Sequence, residues 1–160
     1  MALNAYLALK GAKQGPIKGG VTQKSREGQI LVFAMHHEIV SPRDAASGQA
    51  TGKRMHKPLI ITKEIDRSTP LLYTALVNNE TITEFILTFW GMSSTGKELE
   101  NYIIKLSNAY ISDIADDMLN NKIEPGNHLP VIEQVSFTYE KIEWTWVNGD
   151  ITSSDNWVVS

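Results

Sequence analysis

The stretch GKRMHKPLIITKEIDRSTPLLYTALVNNETI, residues 52–82, passes from an irregular basic segment through a strand and a helix to the start of another strand. Residues 59–65 contain the β-branched run Ile60, Ile61 and Thr62, which favours a pleated, half-buried segment. Ser68-Thr69-Pro70 then reads as a helix start, a hydroxyl at the N-cap with proline at the first helical position. Leu71, Leu72, Ala75 and Leu76 give that helix one apolar stripe, and Asn78-Asn79 ends it before β-branched Thr81, Ile82 and Thr83.

On either side the period is that of strands. Residues 3–9 alternate, with Leu3, Ala5, Leu7 and Leu9 on one face and Asn4, Tyr6 and Ala8 on the other. A glycine- and lysine-rich stretch, 11–20, follows, and residues 29–39 read as one long strand carrying Ile30, Leu31, Val32 and Phe33. Beyond the helix, residues 82–90 place Phe85, Leu87 and Phe89 on one face, a Gly-Ser turn spans 91–96, and further strands cover 100–106 and 109–114. In residues 131–147 the apolar positions change phase. Val135, Phe137 and Tyr139 are odd-numbered and Ile142, Trp144 and Trp146 even, which predicts a β-bulge or sharp bend near Glu140-Lys141. Many short strands and one helix predict a mainly β fold, a closed or split antiparallel barrel, or a sandwich, with the helix on its side and a long protruding loop.

The chain has 160 residues, 42% of them hydrophobic, enough for one domain spanning 1–160 with a core of its own. No run approaches the roughly 20 apolar residues of a membrane helix, and the N-terminal residues do not read as a secretory signal. With no cysteine there is neither disulfide nor thiol chemistry. Residues 1–63 hold ten Lys/Arg against three Asp/Glu and residues 64–160 five against fifteen, so the halves carry +7 and −10. That asymmetry either cancels between folded neighbours or gives a basic and an acidic side through which copies attract head to tail.

Residues 41–58, SPRDAASGQATGKRMHKP, show neither helical nor strand period and read as a long loop. Loops of that length in compact domains are usually either functional or disordered. Met55 and Ala45, Ala46 and Ala50 give it something to bury, so an assembly or binding loop is favoured over disorder. No chemistry is legible elsewhere. His36 and His37 are adjacent on a strand and point to opposite faces, so they cannot chelate one ion, and His56 and His128 read as structural or surface residues. Asp113, Asp116 and Asp117 lack the glycine and closing glutamate of a calcium loop. There is no nucleophile elbow, phosphate loop or dinucleotide fingerprint. The chain is therefore expected to be no enzyme and to need no cofactor or metal. Asn79-Glu80-Thr81 matches a glycosylation sequon and reads simply as the end of a helix. A nucleic-acid- or ligand-binding barrel is the alternative. It requires Lys10, Lys13, Lys18, Lys24, Arg26, Lys53, Arg54 and Lys57 to converge on one face beside aromatics.

Residues 52–82 resemble the central signature of the haemolysin-coregulated protein (Hcp) family, the tube subunit of type VI secretion. The pattern is carried by Gly52 to Arg54, His56-Lys57-Pro58, Lys63-Glu64, Asp66 and Ser68-Thr69-Pro70. AYLALKG near the start, EGQILV from Glu27, IVSPRDAASG from Ile39 and VSFTYEKIEWTW from Val135 are similar to the enterobacterial branch. The resemblance implies a phage tail-tube-like barrel that closes into a homo-hexameric ring. Such rings stack into a hollow tube driven by a sheath beneath a spike, and effector proteins ride in the lumen. It also implies assembly in the cytoplasm and then export without a cleaved signal peptide, with neither nucleic acid nor membrane as a partner. Under it the ring-stacking loop comprises Pro42, Arg43, Asp44, Ala45, Ala46, Ser47, Gly48, Gln49, Thr51, Gly52, Lys53 and Arg54. One of His36 and His37 is expected to face the lumen. Ending at Ser160, soon after Trp157, the chain is expected to be a structural or carrier form and not a fused toxin.

Overall fold

The computed structural model describes residues 4–158, and Leu3, expected on the core face of the first strand, lies outside them. In chain order the first strands are β1 (Ala5–Gly11), β2 (Gly15–Ile17), β3 (Ile30–Val32), β4 (Ala34–His36), β5 (Ile39–Val40), β6 (Met55–His56) and β7 (Leu59–Glu64). Helix α1 (Thr69–Val77) follows, then β8 (Ile82–Met92), β9 (Glu98–Ser107) and β10 (Tyr110–Asp117). After a 3-10 turn at Gly126–His128 come β11 (Ile132–Thr138), β12 (Lys141–Trp146) and β13 (Ile151–Asn156).

Eleven of these strands form two antiparallel sheets, and β5 and β6 pair with each other. The larger runs β13-β12-β9-β8-β1-β2, with β3 also paired to β1, and the smaller runs β10-β11-β7-β4. Strand alternation turns Leu7 and Leu9, Phe85 and Leu87, Ile104 and Leu106, and Ile142 inward from the larger sheet. They meet Leu59 and Ile61 of β7 and Val135 and Phe137 of β11, all buried in one cluster. The result is a split β-barrel with α1 laid against β10.

Two stretches are corners of this barrel, one expected as a single strand and the other as an element with a bend. Residues 29–39 break at Phe33: Val32 pairs with Ala5 in the larger sheet, whereas Ala34 pairs with Thr62 in the smaller. Residues 131–147 break at Tyr139-Glu140, one residue before the expected bend, so that β11 pairs with β7 and β12 with β9. The phase change is the passage from one sheet to the other, which re-aims the inward face. The 91–96 turn is shorter than expected, because β8 continues to Met92, and Gly96 takes φ +82° to close it. β10 runs on past 114 to Asp117, and β13 has no counterpart in the sequence analysis.

Three side chains depart from their sequence roles. Tyr6 lies on the outer face of β1 yet is buried, because the Arg26 guanidinium covers it and Trp90 at 4.9 and 4.0 Å from the ring centroids. Ser68 does not cap α1 with its side chain. Instead its N–H donates to Asp66 Oδ1 at 2.8 Å and its hydroxyl donates to the same oxygen, while Asp66 N–H reaches Thr69 Oγ1 at 3.1 Å. The buried stripe of the helix is Thr69, Leu72 and Ala75, and Leu71 is rotated out to 37% exposure. At the other end Asn79 adopts φ +49° and Glu80 N–H returns to Ala75 O at 2.9 Å, a left-handed C-terminal cap.

Gly19 shows where backbones touch. A Cβ there would lie 2.7 Å from Gln29 O and 2.8 Å from Ile30 Cα, neither of which can swing away. Gly19→Ala is expected to cost about 1–3 kcal/mol as overpacking, measured by urea denaturation.

Candidate assembly surface

Residues 41–58 form an ordered hairpin arm rather than an irregular loop. At its base Ile39 pairs with His56 and Val40 with Met55, and Lys57 N–H donates to Glu38 O at 3.1 Å. Further out, Arg43 bridges Ala50, Thr51 N–H donates to Pro42 O at 3.0 Å and Asp44 N–H to Gln49 O at 2.8 Å. The tip closes on Asp44, whose Oδ2 accepts from Ser47 N at 2.9 Å and from its hydroxyl at 2.7 Å. Those bonds favour the carboxylate and hold Asp44 below its usual range. The strand period is absent from the sequence because neither face of the arm packs on a core, so nothing selects alternating apolar residues.

The expected loop residues Arg43, Asp44, Ala45, Ala46, Ser47, Gly48, Gln49, Thr51, Gly52 and Lys53 all lie exposed on this arm, with Pro42 half-buried beside them. Ile39 and Met55 add exposed apolar surface at 37% and 50%. Arg54 belongs to the root. Its Nε and Nη2 donate to Asp155 Oδ2 and Oδ1 at 2.6 and 2.8 Å, and this pairing is the main reason Asp155 is held below the ordinary carboxylate range.

The root is a polar cluster. His56, buried, offers Nε2 to Asp155 Oδ2 at 2.7 Å and Nδ1 to the Tyr139 hydroxyl at 2.7 Å. His37 Nε2 reaches the same hydroxyl at 2.6 Å. Trp157 stacks on the His56 ring at 5.3 Å and donates its Nε1–H to Tyr139 O at 2.7 Å. Tyr139 is pushed well above its usual range by burial and by the Asp155 charge. Tyr139, Asp155 and Trp157 were not legible as members of this cluster from the sequence. The only trace was the phase change around Tyr139, which marks a corner and does not name its contacts.

His36 and His37 do point opposite ways. His37 turns to Tyr139, whereas His36 stands on the outer face of the smaller sheet, its side chain 72% exposed and 3.9 Å from Glu38 Oε2. On that face its neighbours across the strands include Ala34, Ile60, Thr62, Gln134 and Ser136, small or uncharged side chains. No cluster of metal-ligating side chains occurs among the described residues, and none of their helices is long and apolar enough to cross a membrane. Four of the eight basic residues that a nucleic-acid footprint requires are paired with acidic neighbours: Lys10 with Glu84, Arg26 with Glu98, Arg54 with Asp155 and Lys57 with Glu38.

Residues 6–146 match the family model of the type VI secretion system effector Hcp. The chain belongs to the Hcp family. The major exported protein of Pseudomonas aeruginosa is 40% identical over 98% of this chain and 96% of its own length. Among solved structures, Hcp1 from E. coli EAEC 042 is 36% identical with a TM-score of 0.86, covering 98% of this chain and 99% of that one. The secreted protein Hcp3 from Pseudomonas aeruginosa is 32% identical with a TM-score of 0.80, covering 96% and 97%. As an Hcp protein the chain is a secreted, tube-forming component of type VI secretion that self-assembles into rings and carries effectors. Nothing in these comparisons favours the nucleic-acid-binding alternative.

Proposed function

We propose that this Hcp chain is a ring subunit whose arm bridges successive rings of the exported tube. The observation that carries the reading is the arm itself, an ordered hairpin exposed along its length, with no core of its own and anchored to the body at its root. Such a segment is held in place for something outside the subunit. Its Arg43 and Lys53 meet an adjoining copy favourably if copies align head to tail, as the charge asymmetry of the chain supports. The ring assembles in the cytoplasm and is ejected with the spike when the sheath contracts, taking no catalytic part itself.

Deleting residues 45–52 is the test. The body loses no buried contact, so its unfolding free energy is expected to stay within about 0.5 kcal/mol of the parent. Light scattering is expected to give the mass of a single ring, with stacks absent by electron microscopy. Stacks of parental length after the deletion rule the reading out.

Within the ring, the outer face of the smaller sheet is assigned to the lumen, with His36 as its exposed histidine. His36→Ala is expected to change retention of a co-purified effector without altering ring mass. Unchanged retention argues that a different face meets cargo.

A further inference from the structure

Tyr139 receives two histidines on one hydroxyl, and the proton count of that arrangement is restrictive. Asp155 is a carboxylate held ionised by Arg54, so His56 Nε2 carries the hydrogen of their 2.7 Å bond. In neutral His56, Nδ1 is then an acceptor and takes the Tyr139 O–H. The Tyr139 oxygen is left to accept from His37 Nε2–H. The hydrogen bonds run in one direction, from His37 through Tyr139 and His56 to Asp155, with every donor matched.

We propose that Tyr139 is the positioning residue of the hairpin arm, and that its clasp accommodates one extra proton but not two, so that acidification releases the arm. One added proton is tolerated. On His37 it enters at Nδ1 and leaves the bond to Tyr139 intact; on His56 it enters at Nδ1, His37 takes the tautomer with its hydrogen on Nδ1, and Tyr139 turns its O–H toward the freed His37 Nε2. With both rings charged, His37 Nε2–H and His56 Nδ1–H point at the same oxygen, the hydroxyl proton loses its acceptor, and two cations share one neighbour.

The surrounding charges do not relieve this. Asp155 is the only carboxylate touching the cluster among the described residues, and it is already engaged by Arg54. On the arm side His36 adds to the repulsion, and Glu38 lies near His36 and Lys57. From the body come Tyr139 and Trp157, neither of which accepts the surplus proton. Burial first, then His56 and His36, hold His37 below its ordinary 6.5. The sign follows: as pH falls through 6.5, a released His37 protonates more readily than a clasped one facing a charged His56, so the second protonation is the step at which acidification costs the clasp stability.

The proposal rests on the arm being the stacking element, and the experiment separates the two. Hydrogen exchange across residues 38–57, corrected for intrinsic rates, is followed from about pH 8 to about pH 5 together with stack length. In the parent protein arm exchange is expected to rise about tenfold, the equivalent of one pH unit of linkage for one group, and stacks to shorten. His37→Gln retains a donor for Tyr139 but no titratable charge, and is expected to flatten the pH response. Tyr139→Phe is expected to loosen the arm at every pH. A flat response in the parent, or an equal rise in His37→Gln, overturns the clasp. Arms that loosen while stacks persist support the clasp and overturn the stacking role of the arm.

Discussion

Lys63→Met is expected to lower the free energy of unfolding by about 3–5 kcal/mol. Lys63 follows Leu59 and Ile61 on the inward face of β7 and, like them, is wholly buried. Its register partner Glu133 on β11 is equally buried and accepts the ammonium through Oε1. The same oxygen takes the Thr69 hydroxyl at 2.9 Å, while Lys63 Nζ donates to Glu64 O at 2.8 Å and lies 3.2 Å from Asp66 Oδ1. One ion pair thus ties β7 and β11 to the first turn of α1.

Methionine preserves the stem of the side chain and removes the charge, leaving the Glu133 carboxylate in an interior where its Oε2 already lacks a hydrogen-bond partner. The cost comes from that stranded charge, since a buried pair as a whole contributes little over an apolar replacement. Lys63→Met/Glu133→Leu is therefore expected to recover most of the loss. Urea denaturation of the parent, single and double variants checks both statements. A single variant within about 1 kcal/mol of the parent shows that the pair is not what anchors the helix.

Phe137→Ala is expected to cost a similar amount, about 3–5 kcal/mol, by a different route. Phe137 of the smaller sheet meets Phe85 of the larger edge to face, centroids 4.9 Å apart and planes at 69°. Both are buried in the middle of the core. Removing one ring forfeits its burial and leaves a void that strands pinned in two sheets cannot collapse into. For a chain of this size such a loss is expected to lower the thermal midpoint by roughly 10 °C or more. Ring mass at room temperature is expected to survive if the subunit remains folded. A shift of only a degree or two shows that the sheets repack around the gap.

Much of the barrel was legible before any coordinates. The alternation of Ala5, Leu7 and Leu9 and of Phe85 and Leu87 reports directly on which face of β1 and β8 meets the core, because side chains reverse sides at each residue. The helix between Thr69 and Val77 was marked by its proline and its terminal asparagines. The arm was legible as a segment without a core, although its internal pairing was not. The single strand expected over residues 29–39 is broken, and the bend expected near Glu140-Lys141 came without its partners, because at both places the chain changes sheets and the identity of the pairing strand is not a local property.

The same limit separates the two halves of the assembly surface. By itself the sequence determined that this chain is a β-rich Hcp subunit with an exposed, basic, polar segment before β7, since composition, period and family signature are written along the chain. Only the tertiary structure decided what holds that segment. His56 meets Tyr139 and Asp155 from 83 and 99 residues away, and Lys63 meets Glu133 from 70. A lysine at an inward strand position, or a tyrosine at a corner, carries no mark of its partner. Those contacts exist because two sheets close on each other, and closure is a property of the whole chain.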